Sequence, residues 1–208
     1  LTKMSKLVIG LVGPLGSGKT TIAEYLVSQG FVSLRFSQPI DEEIIKRGLE
    51  RNRKTQQDIG DEFRVQHGGD YIGKLLVERL NQDKNHDDFV VEGFRNPSEV
   101  TPFRKLENFV LIGLNTDPKV RFERLVARGQ DRDPEVWEDF QKQETRDQGI
   151  AQPLHGQNVL GSLELADFIV DTDRPIEEVY NKVIKVIEEA QDEFERKASG
   201  GSEECDFC

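Results

Sequence analysis

The sequence predicts an α/β protein with three layers, α/β/α, around a five-stranded parallel sheet, and with a short helical lid. Three observations predict it. Short apolar runs alternate with segments of helical periodicity, as in strands buried on both faces and joined by helical crossovers. Gly13-Pro14-Leu15-Gly16-Ser17-Gly18-Lys19-Thr20 fits G-x-x-x-x-G-K-[ST] without a mismatch, between the first apolar run and the first helical segment. The length of 208 residues suits one domain with a core of ordinary size.

Leu7–Val12 is apolar throughout, as a central strand covered on both faces should be. Thr20–Gln29 carries Ile22, Ala23, Leu26 and Val27 at helical spacing, and Gly30 is placed to end that helix. Phe31–Phe36 reads as a second strand. After Pro39, Ile40, Ile44, Ile45 and Leu49 recur as a helix to about Glu50. Thr55–Gln66 and Asp70–Leu80 read as two further helices around Gly68-Gly69. Asp88–Glu92 is the third strand, Pro97–Lys105 a short helix and Phe109–Leu114 the fourth strand. Pro118 opens a helix to Arg128, because proline at the first helical position forfeits no hydrogen bond. Gly129–Pro134 is a polar break. Glu135–Thr145 is a helix packed by Trp137 and Phe140, and Gly149–Gly161 reads as loop with short helical turns. Ala166–Val170 is the last strand, and Pro175 opens a long amphipathic helix.

The formal net charge of −11 argues against a nucleic-acid surface, which needs a basic face. No apolar run approaches the ~20 residues of a membrane helix. Leu1–Lys6 is too short and polar for a signal peptide, and Met4 is a candidate natural start. Cys205 and Cys208 form a single pair without histidines at ligand spacing, so neither a disulfide framework nor a zinc site is supported. His67, His86 and His155 are scattered and carry no assignment. A soluble, cytoplasmic protein is the expectation.

The glycine-rich motif carries the chemistry. Gly13, Gly16 and Gly18 let the backbone turn and bring N–H groups to phosphate oxygens, at the positive end of the following helix. Lys19 supplies charge to the β- and γ-phosphates, and the Thr20 hydroxyl is a ligand for Mg²⁺. Ser17 and Thr21 belong to the same nucleotide-binding segment. The chain thus reads as a P-loop NTPase fold that takes ATP with Mg²⁺. Arg121, Arg124, Arg128 and Arg132 fall at spacings of 3, 4 and 4 along one stripe, with Arg146 one helix later. Such a stripe suits a γ-phosphate whose charge spreads over its oxygens, although a solvated charged face has the same spacing. Glu92-Gly93-Phe94-Arg95 follows the third strand at its carboxyl end, where open α/β sheets place ligands. There Glu92 reaches either the Mg²⁺ shell or an acceptor hydroxyl, and Arg95 faces a second phosphate.

Glu92-Gly93-Phe94-Arg95 resembles the D-G-F-P-R segment of adenylate-kinase-type nucleoside monophosphate kinases, whose arginine binds the acceptor phosphate. Arg124 and Arg128 resemble that family's arginines entering the lid, one over the donor adenine and one on the transferred phosphate. Arg132 and Arg146 resemble lid arginines. Over most of Leu7–Glu189 the chain is most similar to small adenylate-kinase-like or dephospho-CoA-kinase-like proteins. Phe63-Arg64 with Gly68-Gly69-Asp70, Val91–Val100 and Arg121–Trp137 carry that similarity. Glu92 stands where the family has aspartate, the proline before Arg95 is missing, and the lid is short. The resemblance implies that the Asp171-Thr172-Asp173 turn lies near the donor base, and that Ser37, Asp41 and Arg64 lie where the acceptor is held. Asp41 is also placed to cap a helix.

The expectation is an ATP- and Mg²⁺-dependent phosphotransferase acting on a small phosphorylated acceptor, a (deoxy)nucleoside monophosphate or dephospho-CoA. Lys19, Arg128, Arg132, Arg146 and Glu92 would act on the transferring group; Arg95, Arg64 and Asp41 would hold the acceptor. Residues 1–198 form the kinase-like domain, with an acceptor-side helical region at about 38–86, a lid at about 128–148, and a flexible tail over 199–208. The rival from another class is a nucleotide-sensing domain with little turnover. An ATPase that remodels RNA is disfavoured by the acidic charge.

Overall fold

The computed structural model describes residues 6–130, 133–150 and 156–199, apart from the Arg53 side chain. Five strands, β1 (Leu7–Val12), β2 (Val32–Arg35), β3 (Asp88–Glu92), β4 (Phe109–Asn115) and β5 (Phe168–Asp171), form one sheet in the order β2-β3-β1-β4-β5. Every neighbouring pair is parallel. Side chains alternate across the pleat. Val8 and Val12 of β1 join one apolar cluster, and Leu7, Ile9 and Leu11 join the other.

The second cluster is closed by α1 (Lys19–Ser28) and the amphipathic α9 (Ile176–Ala198), through Ile22, Leu26, Val179, Val183 and Ile187. The first is closed by α2 (Ser37–Lys46), α3 (Arg53–His67) and α4 (Tyr71–Gln82), which lie between β2 and β3, and by α5 (Pro97–Val100). Close approach is built in at Gly113 of β4. A Cβ there would lie 2.6 Å from both Ile169 Cδ1 and Leu163 Cδ1. Beyond β4, α6 (Pro118–Arg128) leads to α7 (Trp137–Asp147), and the short α8 (Val159–Leu163) precedes β5. Trp137 and Phe140 stack 5.1 Å apart and both meet Phe122, so they pack α7 onto α6 as expected.

Element bounds depart from the sequence expectation where proline or glycine was misread. Helix α2 begins at Ser37, ahead of Pro39, because a proline in the first turn has no intrahelical partner to lose. It ends at Lys46, with Gly48 at φ +66° behind it. Asp41 therefore sits inside a helix and caps nothing, which corrects the capping expectation. The expected helix over residues 97–105 splits at Pro102 into α5 and a 3₁₀ turn, Phe103–Lys105. Arg132, His155 and the expected tail beyond Ser199, with both cysteines, lie outside the described residues. No helix among the described residues is long and apolar enough to cross a membrane.

Because β1 runs out to β2 on one side while the connection after β3 crosses β1 to reach β4, a crevice opens at the carboxyl ends of β1 and β3. The candidate site lies there.

Candidate active site

The loop after β1 is held open by its glycines. Gly16 and Gly18 take φ +80° and +91°, where side chains are strained. A Cβ on Gly13 would lie 2.7 Å from Ser17 Oγ and 2.8 Å from the Leu114 carbonyl. One on Gly16 would lie 2.8 Å from the Arg121 carbonyl, so the loop is pressed against β4 and α6. Gly18 is the N-cap of α1 and offers no side-chain cap, leaving the helix's first amides for an anion. Ser17 is fully buried, and its carbonyl accepts from Thr172 Oγ1 at 3.1 Å.

Lys19 curls over this loop. Its Nζ donates to the Gly13 and Pro14 carbonyls at 2.7 and 2.8 Å. Burial lowers its pKa from 10.5 to about 8, with the positive charges of Arg95 and Arg121 adding to the effect and Glu92 and Asp147 opposing it. Thr20 Oγ1 donates to Glu92 Oε2 at 3.0 Å. That pairing of a hydroxyl and a carboxylate is a donor set that suits Mg²⁺, which takes one or two protein oxygens and fills its remaining positions with water and phosphate. Among the described residues, no cluster of three or more His, Cys, Asp or Glu is placed to hold a metal ion.

The arginine stripe separates into different roles. Arg121 is buried, and its guanidinium donates to the Thr116 carbonyl at 3.1 Å, the Leu15 carbonyl at 3.2 Å and Glu144. It braces the loop against α7. Arg124 donates to the Thr172 carbonyl at 2.6 Å and lines a 210 Å³ cavity beside the loop with Gly18, Thr21, Thr172, Arg174 and Ile176. The turn after β5 thus lies on this cavity, next to Thr21. Arg128 makes a two-pronged contact with Asp133, at 2.7 and 2.6 Å. Arg146 is exposed on α7, with no ion pair among the described residues.

On the other side of the crevice, Arg95 is exposed at the end of β3, and its backbone N–H donates to Glu99 Oε2 at 2.6 Å. The Gln157 amide lies between Arg95 and Asp147, and the orientation that satisfies both, assigned from these neighbours, lets its oxygen accept from Arg95 Nη1 at 2.8 Å and its nitrogen donate to Asp147 Oδ1 at 2.5 Å. Arg64 is nearly buried on α3, pairs with Asp61 at 2.7 Å and lies 3.6 Å from Glu99, and its Nε has no partner. Burial pushes the Glu99 carboxyl up. Asp41 accepts from Arg51 at 2.8 Å and Gln56 at 2.6 Å. Burial alone would raise its pKa, but these hydrogen bonds outweigh it and hold the carboxyl below its usual range. Thus Lys19, Thr20, Glu92 and Arg95 come together, while Arg64 is tied to Asp61 on its own helix and to Glu99 on α5, and Asp41 to Arg51 and Gln56.

Sequence reasoning missed Asp147, Gln157 and Glu99. Only Glu99 had a signal, the Asn96-x-x-Glu99 capping box that the structure forms. A larger cavity, 660 Å³, lies between α4 and the 3₁₀ turn and contains none of the residues singled out from sequence.

Comparison with known proteins identifies the lineage. A family model described as an AAA domain matches residues 9–146. A UPF0200 protein of Thermococcus kodakarensis is 30% identical over 187 residues, covering 88% of this chain and 97% of its own. Another, from Methanocaldococcus jannaschii, is 28% identical over 191 residues, covering 91% and 93%. Among solved structures, TT1252 from Thermus thermophilus superposes with a TM-score of 0.57 at 19% identity, covering 89% of this chain and 98% of that one. A shikimate kinase from Acinetobacter baumannii, solved with shikimate, gives 0.52 at 18% identity, covering 88% and 94%. At these identities the structures share the fold. The kinase just named takes shikimate, and the sequence relatives are not named as adenylate kinases, so the nucleoside-monophosphate-kinase resemblance is narrower than what is shown. The chain belongs to the UPF0200 family and carries an AAA domain with the P-loop kinase fold.

Proposed function

We propose that this chain is an ATP- and Mg²⁺-dependent phosphotransferase that passes a γ-phosphoryl group to a small phosphorylated acceptor, a (deoxy)nucleoside monophosphate. One observation carries the reading. Thr20 on the glycine-rich loop donates to Glu92 at the end of β3 at 3.0 Å, which brings Lys19, beside Thr20, and Arg95, three residues beyond Glu92, to one crevice. Cations on both sides of that crevice suit a triphosphate on the loop and a second phosphate at Arg95.

In this reading Lys19 leaves the Gly13 and Pro14 carbonyls for the β- and γ-phosphates, which the loop amides also receive. Thr20 and Glu92 would hold Mg²⁺, which neutralises charge on the phosphate oxygens. Arg128 exchanges Asp133 for the transferring group, and Arg146 closes with it, excluding water. Arg124 and the Thr172 turn bound the donor base. A phosphate acceptor attacks as an anion and needs no general base. Dephospho-CoA offers a hydroxyl and wants one; of the two candidate carboxylates, Asp41 is a weak base under its two hydrogen bonds and Glu92 is given in this reading to Thr20 and Mg²⁺, which favours the phosphate acceptor.

The sensing reading draws on one observation, the commitment of Arg128 to Asp133. Lys19→Ala discriminates chemistry from scaffold: phosphoryl transfer is expected to fall about a hundredfold or more. Transfer within a few-fold of the parent would sink the proposal.

A further inference from the structure

The kinase reading leaves open what holds the acceptor arginine in place. Helix α7 touches both halves of the crevice from one face. Glu144 and Asp147 are three residues apart, so they project on the same side. Glu144 pairs with Arg121, whose Nη1 donates to the Leu15 carbonyl of the donor loop at 3.2 Å. Asp147 accepts from Gln157, which accepts from Arg95. Gln157 is 8% exposed, and only one orientation of its amide satisfies both neighbours.

The surroundings fix this junction. Gly149 at φ +85° turns the chain immediately after α7, where a Cβ would lie 2.9 Å from the Gln157 carbonyl. The Asn158 backbone N–H donates to the Arg95 carbonyl at 2.6 Å, and Asn96 Nδ2 donates to the Gly156 carbonyl at 2.8 Å. Arg95 is therefore held at its backbone from two sides and at its guanidinium from a third.

The choice of an amide between carboxylate and guanidinium has a chemical consequence. A direct Arg95–Asp147 ion pair would neutralise the charge that an incoming phosphate needs. A glutamine spacer takes one of the five guanidinium N–H donors, aims the group, and leaves its charge uncancelled. We infer that Asp147 and Gln157 are positioning residues that aim Arg95 at the acceptor and join it, through α7 and Glu144, to the donor loop. The inference rests on the phosphotransferase reading. It adds that the donor and acceptor halves share one helical crossbar.

The test uses the full chain with Mg-ATP and whichever acceptor supports turnover. Gln157→Leu is expected to raise the acceptor KM about tenfold, the loss of one hydrogen bond to a charged group, and to leave the ATP KM within about twofold. In an Arg95→Met background it should add nothing, because both substitutions break one chain of contacts. A merely structural Gln157 would move both KM values together or act additively with Arg95→Met, and either result overturns the inference, as does an unchanged acceptor KM. If no acceptor turns over, the kinase reading fails separately, and the tether is read directly. Phenylglyoxal modification of Arg95, followed by peptide mass spectrometry with exposed Arg196 as reference, should then run about fivefold faster in Gln157→Leu and Asp147→Ala. Equal rates overturn the tether.

Discussion

Replacing Arg121 with methionine should damage stability before it damages chemistry. The residue is 3% exposed, and its guanidinium serves the Thr116 and Leu15 carbonyls and the Glu144 carboxylate. It also lies 5.3 Å from the ring centre of Phe140. Methionine fills much of the volume but strands Glu144, whose side chain is 15% exposed. Breaking a buried pair from one side costs about 3–5 kcal/mol, and the residual solvent at Glu144 places this case near the lower end, about 3 kcal/mol. In a domain of this size that lowers Tm by roughly 6–12 °C. Equilibrium urea unfolding, followed by the fluorescence of Trp137, the single tryptophan, measures it. Arg121→Met with Glu144→Leu should recover more than half of the loss, because no charge is then left unpaired. A single-mutant loss under about 1 kcal/mol, or a double mutant no more stable than the single, would refute the strut.

Other expectations follow from the site. The proposed reading has nucleotide bind to protonated Lys19, whose pKa burial lowers from the ordinary 10.5 to about 8. The Mg-ATP Kd should be nearly flat below about pH 7.5 and weaken toward tenfold per unit above about pH 8, with proton uptake on binding; a constant Kd across that range contradicts this. For stability the sign reverses: the charged lysine is penalised in the fold below about pH 8, and the penalty fades toward pH 10.5, so Lys19→Met should flatten that part of the stability–pH curve. Gly16→Ala, at φ +80° and against the Arg121 carbonyl, should cost about 1–3 kcal/mol and abolish nucleotide-induced stabilisation in a thermal-shift assay. Glu92→Gln should raise the Mg²⁺ concentration for half-maximal ATP binding by about tenfold, measured calorimetrically; an unchanged requirement removes Glu92 from the metal set.

The glycine-rich loop was legible because its determinants are local. Glycine spacing, the apolar run before it and the helix after it lie within residues 7–28, and the structure forms them there. The Glu92–Arg95 segment was legible by position at a strand's carboxyl end. The arginine stripe was legible only as a stripe. Spacing places Arg121, Arg124 and Arg128 on neighbouring turns, but it does not show that Glu144 lies over the first, Thr172 over the second and Asp133 beside the third. Gln157 and Asp147 carried no signal, because their meaning comes from Arg95, which β4 and α6 separate from them in the chain. Asp41 was misread through one proline: a helix start placed after Pro39 made an interior residue look like a cap.

The central claim is transfer to a phosphorylated acceptor, and coupled ADP release tests it most directly. Mg-ATP is offered with each nucleoside and deoxynucleoside monophosphate and with dephospho-CoA, and Lys19→Ala is the blank. One monophosphate should raise ADP release about a hundredfold over ATP alone, into the roughly 1–100 s⁻¹ range of kinases. Tight Mg-ATP binding with no response to any acceptor would contradict the account and leave a nucleotide sensor.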